Sequence, residues 1–274
     1  MSAHSVRAEA DSAEEDYVSA EIAAFSPLGI VTGDRPGGRC VLEAWFVSAA
    51  EAAACAEALA AWNPAIHESP DAQDWNAAWQ SAWIPIEAGG HWFLAPPAFA
   101  GETPPGRIRL DMHPGTLFGN GAHPTTLLCL EAMEDCVKPG VTFLDIGCGS
   151  GLLTHAASLL GARAAIGCDL DPRAAQAASR FGAGAFIGSA DAVRPGSLDV
   201  IAANIQLGVL RDILPAIVTA LSARGAALLS GVLADQRSDL ISAIESAGLR
   251  PCATKEQGGW LLAWAGGPRG SGPP

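Results

Sequence analysis

The sequence predicts an α/β protein, in which a domain built on a doubly wound, mostly parallel sheet follows a small α+β domain. Three features carry that reading. After Leu117, short apolar runs alternate with stretches in helical rhythm, the signature of a parallel sheet with crossover helices. One of those runs, "VTFLDIG", passes through the glycine cluster "DIGCGSG" straight into a helical segment. Before Leu117 that rhythm is absent, and hairpin-like runs flank a single alanine-rich helix. The boundaries read as an α+β domain over 1–66, a linker helix and hairpin over 67–100, and the larger domain over 101–274.

The N-terminal text, "MSAHSVRAEADSAEEDYVS", is acidic and polar, and its first dozen residues read as a loose tail. It lacks the basic start and apolar core of a signal peptide, so a cytoplasmic location is expected. "SPLGIVTGDRPGGRCVLEAWFV" reads as two short strands around a Gly/Pro turn. From Ser48 to Trp62 an N-cap serine, an acid three positions later and a run of alanines predict a helix. Trp75, Trp79 and Trp83 recur every four residues, which on a helix makes one packing stripe. "WIPIEAGGHWFLAPP" predicts a hairpin over a Gly-Gly turn, and "GETPPGRIRLDMHPG" a linker and a strand. Thereafter strands are expected at "VTFLDIG", "RAAIGCDLDP", "SLDVIAANI", "AALLSGVL" and "GGWLLAWAG". Helices are expected at "SGLLTHAASLLG", "RAAQAASRFG", "GVLRDILPAIVTALSARG" and "ADQRSDLISAIESAG".

Composition narrows the class. The chain has 274 residues, of which 49% are hydrophobic, enough for a real core, and no run has the length and purity of a membrane span. The net charge of −13 repels nucleic acid and anionic membrane and suits a basic protein partner. The seven cysteines form no CxxC pair, so they read as small buried residues rather than zinc ligands or a disulfide framework.

The chemistry concentrates in four places. Gly147, Gly149 and Gly151 sit where a strand turns into a helix, so backbone can approach a ligand and the helix offers free N–H groups; Asp145 stands just before them. No Lys-Ser/Thr follows, which excludes a P-loop. Asp169 ends the next strand, 22 positions after Gly147, where a carboxylate can take both hydroxyls of a ribose; Asp171 is better placed to cap the helix that starts at Pro172. Asn204 ends the strand "LDVIAAN", beside the ligand crevice of an open sheet. Finally "FGNGAHPTT" precedes the glycine strand, a position a dehydrogenase leaves without such a loop. The spacing of Gly147 and Asp169 serves a dinucleotide or S-adenosylmethionine; the preceding loop favours the second.

"FGNGAHPTTLLCLEAM", "LDIGCGSGLLTHAA", "GCDLDPRA" and "VIAANIQLGVLRDILP" together resemble the PrmA family, the bacterial ribosomal protein L-eleven methyltransferases, and "DWNAAWQSAWIPIEAGGHWFLAPP" is similar to its linker. The resemblance runs from about residue 20 to residue 266. It implies a Rossmann-like class I methyltransferase domain behind a small substrate-recognition domain. The implied activity is methylation of lysine side chains or the N-terminal amine of a ribosomal protein, with S-adenosyl-L-methionine as cofactor. The resemblance assigns the cofactor to Thr126, Gly147, Asp169 and Asn204, with Asp145, Gly149 and Gly151 in the same loop and Asp191 the acid left to meet the adenine amine. Asn204 and His123 are the catalytic candidates: Asn204 to accept a hydrogen bond from the attacking amine, His123 to carry a proton or to shape the loop ahead of Pro124. The chain departs from the family at Asn120, at Gln206 and in a shortened segment between Asp169 and Asn204. Those departures keep open another protein or small-amine substrate, or a cofactor-binding regulator without turnover.

Overall fold

The computed structural model describes residues 3–23, 25, 27, 29–46, 48–69, 85–97, 99–112, 121, 123–179 and 184–267. The chain divides into two compact units, residues 1–83 with 114–116, and residues 84–113 with 117–274. The tryptophan stripe of Trp75, Trp79 and Trp83 lies outside the described residues.

The smaller unit runs β1 (Ala3–Asp11), α1 (Glu15–Ala23), β2 (Gly29–Arg35), β3 (Arg39–Phe46), α2 (Ala49–Ala58) and β4 (Ala65–Ser69). Its four strands pair in the order β2-β3-β1-β4, all antiparallel, the split βαβ arrangement. The N-terminal residues are therefore not a loose tail: β1 is an interior strand. Val6, Ala8 and Ala10 alternate with Arg7, Glu9 and Asp11, and the first three are buried with Leu42, Phe46, Val18 and Ile22 in one core. Two of the three inward positions are alanine, so the period-2 signal is faint in a hydrophobicity reading. The predicted helix after Ser48 forms, and the Ser48 hydroxyl accepts the Glu51 N–H at 3.1 Å, as an N-cap should.

The larger unit opens with β5 (Ile86–Ala88), β6 (Trp92–Ala95) and β7 (Ile108–Asp111), a three-stranded sheet in which β6 and β7 are parallel. Its Gly-Gly turn is held by α3 (Pro124–Cys136): Gly90 N–H and His91 N–H each donate to the Glu134 carboxylate at 2.9 Å, and the buried Trp92 indole donates to the Leu130 carbonyl at 2.8 Å. Then follow β8 (Thr142–Ile146), α4 (Leu152–Leu159), β9 (Ala164–Asp169), α5 (Pro172–Ser179), β10 (Gly184–Ile187), β11 (Leu198–Asn204), α6 (Leu207–Ala220), β12 (Leu221–Leu233), α7 (Arg237–Ser246), β13 (Arg250–Gln257) and β14 (Trp260–Gly266). The seven strands pair as β10-β9-β8-β11-β12-β14-β13. The first five are parallel and β14 runs antiparallel to both its neighbours, the doubly wound, mostly parallel sheet the sequence predicts.

Strand order reverses between β8 and β11. The chain leaves β8 outward through β9 and β10, then returns to lay β11 on the other side of β8. Crossovers diverge at such a point and leave a crevice at the carboxyl ends of the strands. In the larger unit two strands escape the sequence reading. β10 is four residues long, and β13 is a polar edge strand, "RPCATKEQ", whose side chains are mostly exposed and show no apolar alternation.

Candidate active site

The crevice above β8 and β11 is floored by the glycine turn. Gly147, Gly149 and Gly151 all have positive φ, at 68°, 50° and 82°, which a β-carbon disfavours. They do different work. The N–H groups of Gly147 and Cys148 both donate to the Cys168 carbonyl, at 2.8 and 3.0 Å, and tie the turn to β9. Gly149 N–H donates to Asp169 Oδ2 at 3.1 Å. Gly151 opens α4, and a β-carbon there would stand 2.4 Å from the Ala178 Cα, so its bare backbone is what lets α4 and α5 approach.

Two carboxylates serve this turn. Asp145, on β8, is only 1% exposed and accepts a hydrogen bond from the Thr154 hydroxyl at 2.9 Å. Burial pushes its pKa up to about 7, the Thr154 contact opposes the shift, and the nearby Asp169 charge adds to it. Asp169, at the end of β9, accepts Gly149 N–H through one oxygen and Asp171 N–H, at 2.9 Å, through the other. Asp171 itself caps α5: its carboxylate accepts Arg173 N–H at 2.8 Å, with Pro172 as the first helical residue. Asp169 is thus released from capping duty, as the spacing predicts. Beside it two apolar side chains stand in solvent, Leu170 at 77% exposure and Ile187 at 61%, the latter paired with Asp169 across the β9–β10 ladder. Asp191 lies in a short 3₁₀ turn, Ala190–Ala192, with an exposed side chain.

Thr126 and Asn204 share a cavity in the crevice. Both line one cavity with Asp145, Gly147 and Cys148. Thr126 Oγ1 and Asn204 Oδ1 are buried and, among the described residues, have no hydrogen-bond partner. Native interiors rarely leave two such atoms unsatisfied in one cavity, and an unmade bond of this kind costs about 1–3 kcal/mol. The pair, facing a cavity floored by a glycine turn, fits a ligand that brings its own donors. Among the described residues no cluster of His, Cys, Asp or Glu is arranged to hold a metal.

His123 takes a different place. It is the N-cap of α3, with Nδ1 accepting Thr125 N–H at 3.3 Å and lying 2.7 Å from the Thr125 hydroxyl. Its ring packs edge-on against Trp260, centroids 4.8 Å apart. Burial pushes its pKa down to about 4, so the imidazole is neutral at physiological pH. Thr126 N–H donates to the His123 carbonyl at 3.0 Å, so the cap fixes the turn that carries Thr126. Asn120 lies outside the described residues; Gln206 caps α6, its carbonyl accepting Leu210 N–H at 3.0 Å, with its side chain exposed. Cys148, Ser150 and Leu153 also line the cavity without having been singled out from sequence, as has Trp260 beside His123. Cys148 was hidden inside a glycine motif, and Trp260 stands far along the chain in a terminal strand. All seven cysteines are free thiols, five of them buried.

The family model "Ribosomal protein L11 methyltransferase (PrmA)" matches residues 38–265. A Symbiobacterium thermophilum protein named ribosomal protein L11 methyltransferase is 35% identical over 214 residues, which is 76% of this chain and 70% of that protein. One of the same name from a Synechococcus species is 38% identical over 207 residues, 69% of this chain and 67% of that protein. The crystal structure of a ribosomal protein L11 methylase from Lactobacillus delbrueckii subsp. bulgaricus superposes with a TM-score of 0.62 at 24% identity, over 67% of this chain and 98% of that one, and shows a shared fold. With a doubly wound sheet, a glycine turn and a crevice between β8 and β11, and with that match over residues 38–265, the chain belongs to the ribosomal protein L11 methyltransferase (PrmA) family.

Proposed function

We propose that this protein transfers methyl groups from S-adenosylmethionine to amines of a protein of the large ribosomal subunit, with ribosomal protein L11, named in its relatives, as the substrate. The observation that carries the reading is the pair of buried oxygens on Thr126 and Asn204, unpartnered among the described residues, in one cavity with the Gly147 turn. When bound, the cofactor supplies an electrophilic methyl on a sulfonium. The rest falls to the chain's own residues. The backbone from Gly147 to Gly149 would hold the cofactor. Asp169 would receive the ribose hydroxyls, and Asp191 would be the acid available to the adenine amine. Gly151 holds the helix that the turn leads into. Asp145, with a pKa about 7, would be the carboxylate available to the cofactor's ammonium, whose charge would favour its ionised form.

An attacking lysine has a pKa of about 10.4 in water and must lose its proton first. Desolvation of the amine on binding lowers that value without a dedicated base. Asn204 Oδ1 then accepts an N–H of the neutral amine and aims its lone pair. Positioning of this kind is the protein's main contribution to an in-line displacement. His123 acts as a cap rather than as a proton carrier, since its neutral ring is engaged with Thr125. The smaller unit, with a core of its own and none of the cavity residues, is the module for recognising the protein substrate. An acidic chain, net −13, suits a basic ribosomal protein.

The test is incubation of the purified chain with S-adenosylmethionine and unmethylated ribosomal protein L11, read by intact-mass and peptide mass spectrometry. Added methyl groups on lysine or the N-terminal amine are the expected outcome. Cofactor binding with no transfer to L11 or to other ribosomal proteins would favour the regulator reading instead.

A further inference from the structure

Gly231 stands inside β12 with φ of +82°. There the β12–β14 ladder slips: Leu229 pairs with Ala263 and Val232 with Leu261, so Ser230 and Gly231 together oppose Leu262. This is a bulge, and it falls where the parallel ladder with β11 ends, at the Asn204–Ser230 pair. The Ser230 hydroxyl ties the bulge to β14 through the Leu261 carbonyl at 2.9 Å, and Ile205 N–H, one step past the ladder, donates to the Ser230 carbonyl at 3.0 Å.

Bare backbone at Gly231 is what lets Ile205 sit there. A β-carbon on residue 231 would lie 2.6 Å from Ile205 N, 2.7 Å from its carbonyl oxygen and 2.8 Å from its carbonyl carbon. These are backbone atoms and cannot rotate aside. The Ile205 side chain points the other way: its Cγ2 would lie 2.7 Å from a β-carbon on Gly147. Ile205 is thus a wedge seated on two glycines, its backbone on the β12 bulge and its side chain on the glycine turn. The residue just before it is Asn204, whose buried Oδ1 faces the cavity.

We propose that Gly231 is a positioning residue for methyl transfer, acting through the Ile205 wedge to hold the Asn204 amide at a fixed distance from the Gly147 turn. The proposal rests on the role given to Asn204 above. Gly231→Ala pushes the Ile205 peptide away from β12 and moves Asn204 with it. The expected result is a kcat about 10–100-fold lower, on the scale of an ångström's misplacement, with the Kd for S-adenosylhomocysteine changed less than about threefold. A readout without cofactor or turnover accompanies it. Native-state hydrogen exchange should lose protection at the Ile205 amide while the amides of Ala202 and Ala203 keep theirs.

Gly248→Ala is the matched control, since Gly248 has φ of +88° but nothing within 4 Å of a β-carbon. It carries the same backbone strain and should keep wild-type kcat. Should Gly231→Ala fail to fold, the Ile205 variants decide. Ile205→Val keeps Cγ2 and should retain kcat, whereas Ile205→Ala should lose roughly tenfold or more. A folded Gly231→Ala with wild-type kcat and a protected Ile205 amide overturns the proposal, as do equal losses in Gly248→Ala or equal kcat in the two Ile205 variants. If the unmutated chain binds S-adenosylmethionine yet transfers no methyl, the proposed function fails instead, and the exchange experiment alone decides the wedge.

Discussion

Asp145 and Asp169 stand on neighbouring strands, the first one residue before the end of β8 and the second at the end of β9. Both serve the glycine turn, but the fold treats them in opposite ways. Asp169 is partly exposed and accepts two backbone N–H groups, from Gly149 and Asp171, which fix where its two oxygens lie. Asp145 is sealed in, and Thr154 supplies its hydroxyl and a backbone N–H. Burial there disfavours the charged form. The difference shows what each can do. A carboxylate whose oxygens are fixed by backbone donors is placed to receive hydroxyls. One held near its midpoint answers to whatever charge arrives beside it. The protein bears the cost of the second while the cavity is empty.

That contrast is broken most strongly at Asp145. Its folded pKa, about 7, lies above the ordinary value of 3.8 for an unpaired aspartate carboxyl. Below about pH 4 the group is neutral in both folded and unfolded chains and costs nothing. As pH rises toward 7 the unfolded chain ionises freely while the folded chain resists, so this group takes stability away, and the penalty levels off above the folded pKa. Asp145→Asn should therefore be more stable than wild type at pH 8, by roughly 2–4 kcal/mol, with the gap closing toward pH 4. Urea titrations of both chains at several pH values measure it. The same variant should bind S-adenosylmethionine more weakly, the opposite sign to its stability. Parallel stability curves at pH 8 and pH 4 would show that Asp145 is not held in the buried state described.

Asp169→Ala is the smaller effect, and it lands on binding rather than folding. Losing a charge-assisted pair of contacts to a ribose costs about 1.5–3 kcal/mol, or roughly 10–150-fold in affinity. Gly149 N–H and Asp171 N–H lose their acceptor but stand near solvent and can find water. Calorimetric titration with S-adenosylhomocysteine checks this, and an unchanged Kd would remove Asp169 from the ribose.

Much of this site is legible from the chain because it is turn chemistry, which is local. Positive φ at Gly147, Gly149 and Gly151 and the Asp171-Pro172 cap follow from residues within a few positions of one another. The interior strand β1 is not legible, because alanine at Ala8 and Ala10 buries too little surface to mark a face. Nor is the meeting of Thr126 with Asn204, 78 positions apart, except through resemblance to a family. The wedge at Ile205 is beyond sequence reading, since it depends on where Gly147 and Gly231 come to lie across the strand ends, and isoleucine at a strand end looks like ordinary core.

His123 gives the smallest effect and the finest test of what surrounds the two carboxylates. As a proton carrier it would have to ionise during turnover, and its loss would change the pH dependence of kcat. As the cap of α3 it supplies one acceptor to Thr125 N–H and packs on Trp260. The cap reading predicts that His123→Ala loses about 1 kcal/mol of stability, within the usual range for an N-cap. His123→Asn should recover most of that, because an asparagine oxygen can take the Nδ1 role, and should restore kcat without restoring any titrating group. Part of the packing against Trp260 stays lost in both variants, so recovery in the asparagine variant falls short of complete. The decisive measurement is the kcat–pH profile of His123→Asn beside wild type. Profiles of the same shape leave His123 as a cap, since asparagine cannot carry the proton. A limb near pH 4 that is present in wild type and absent in the variant would make it a titrating participant instead.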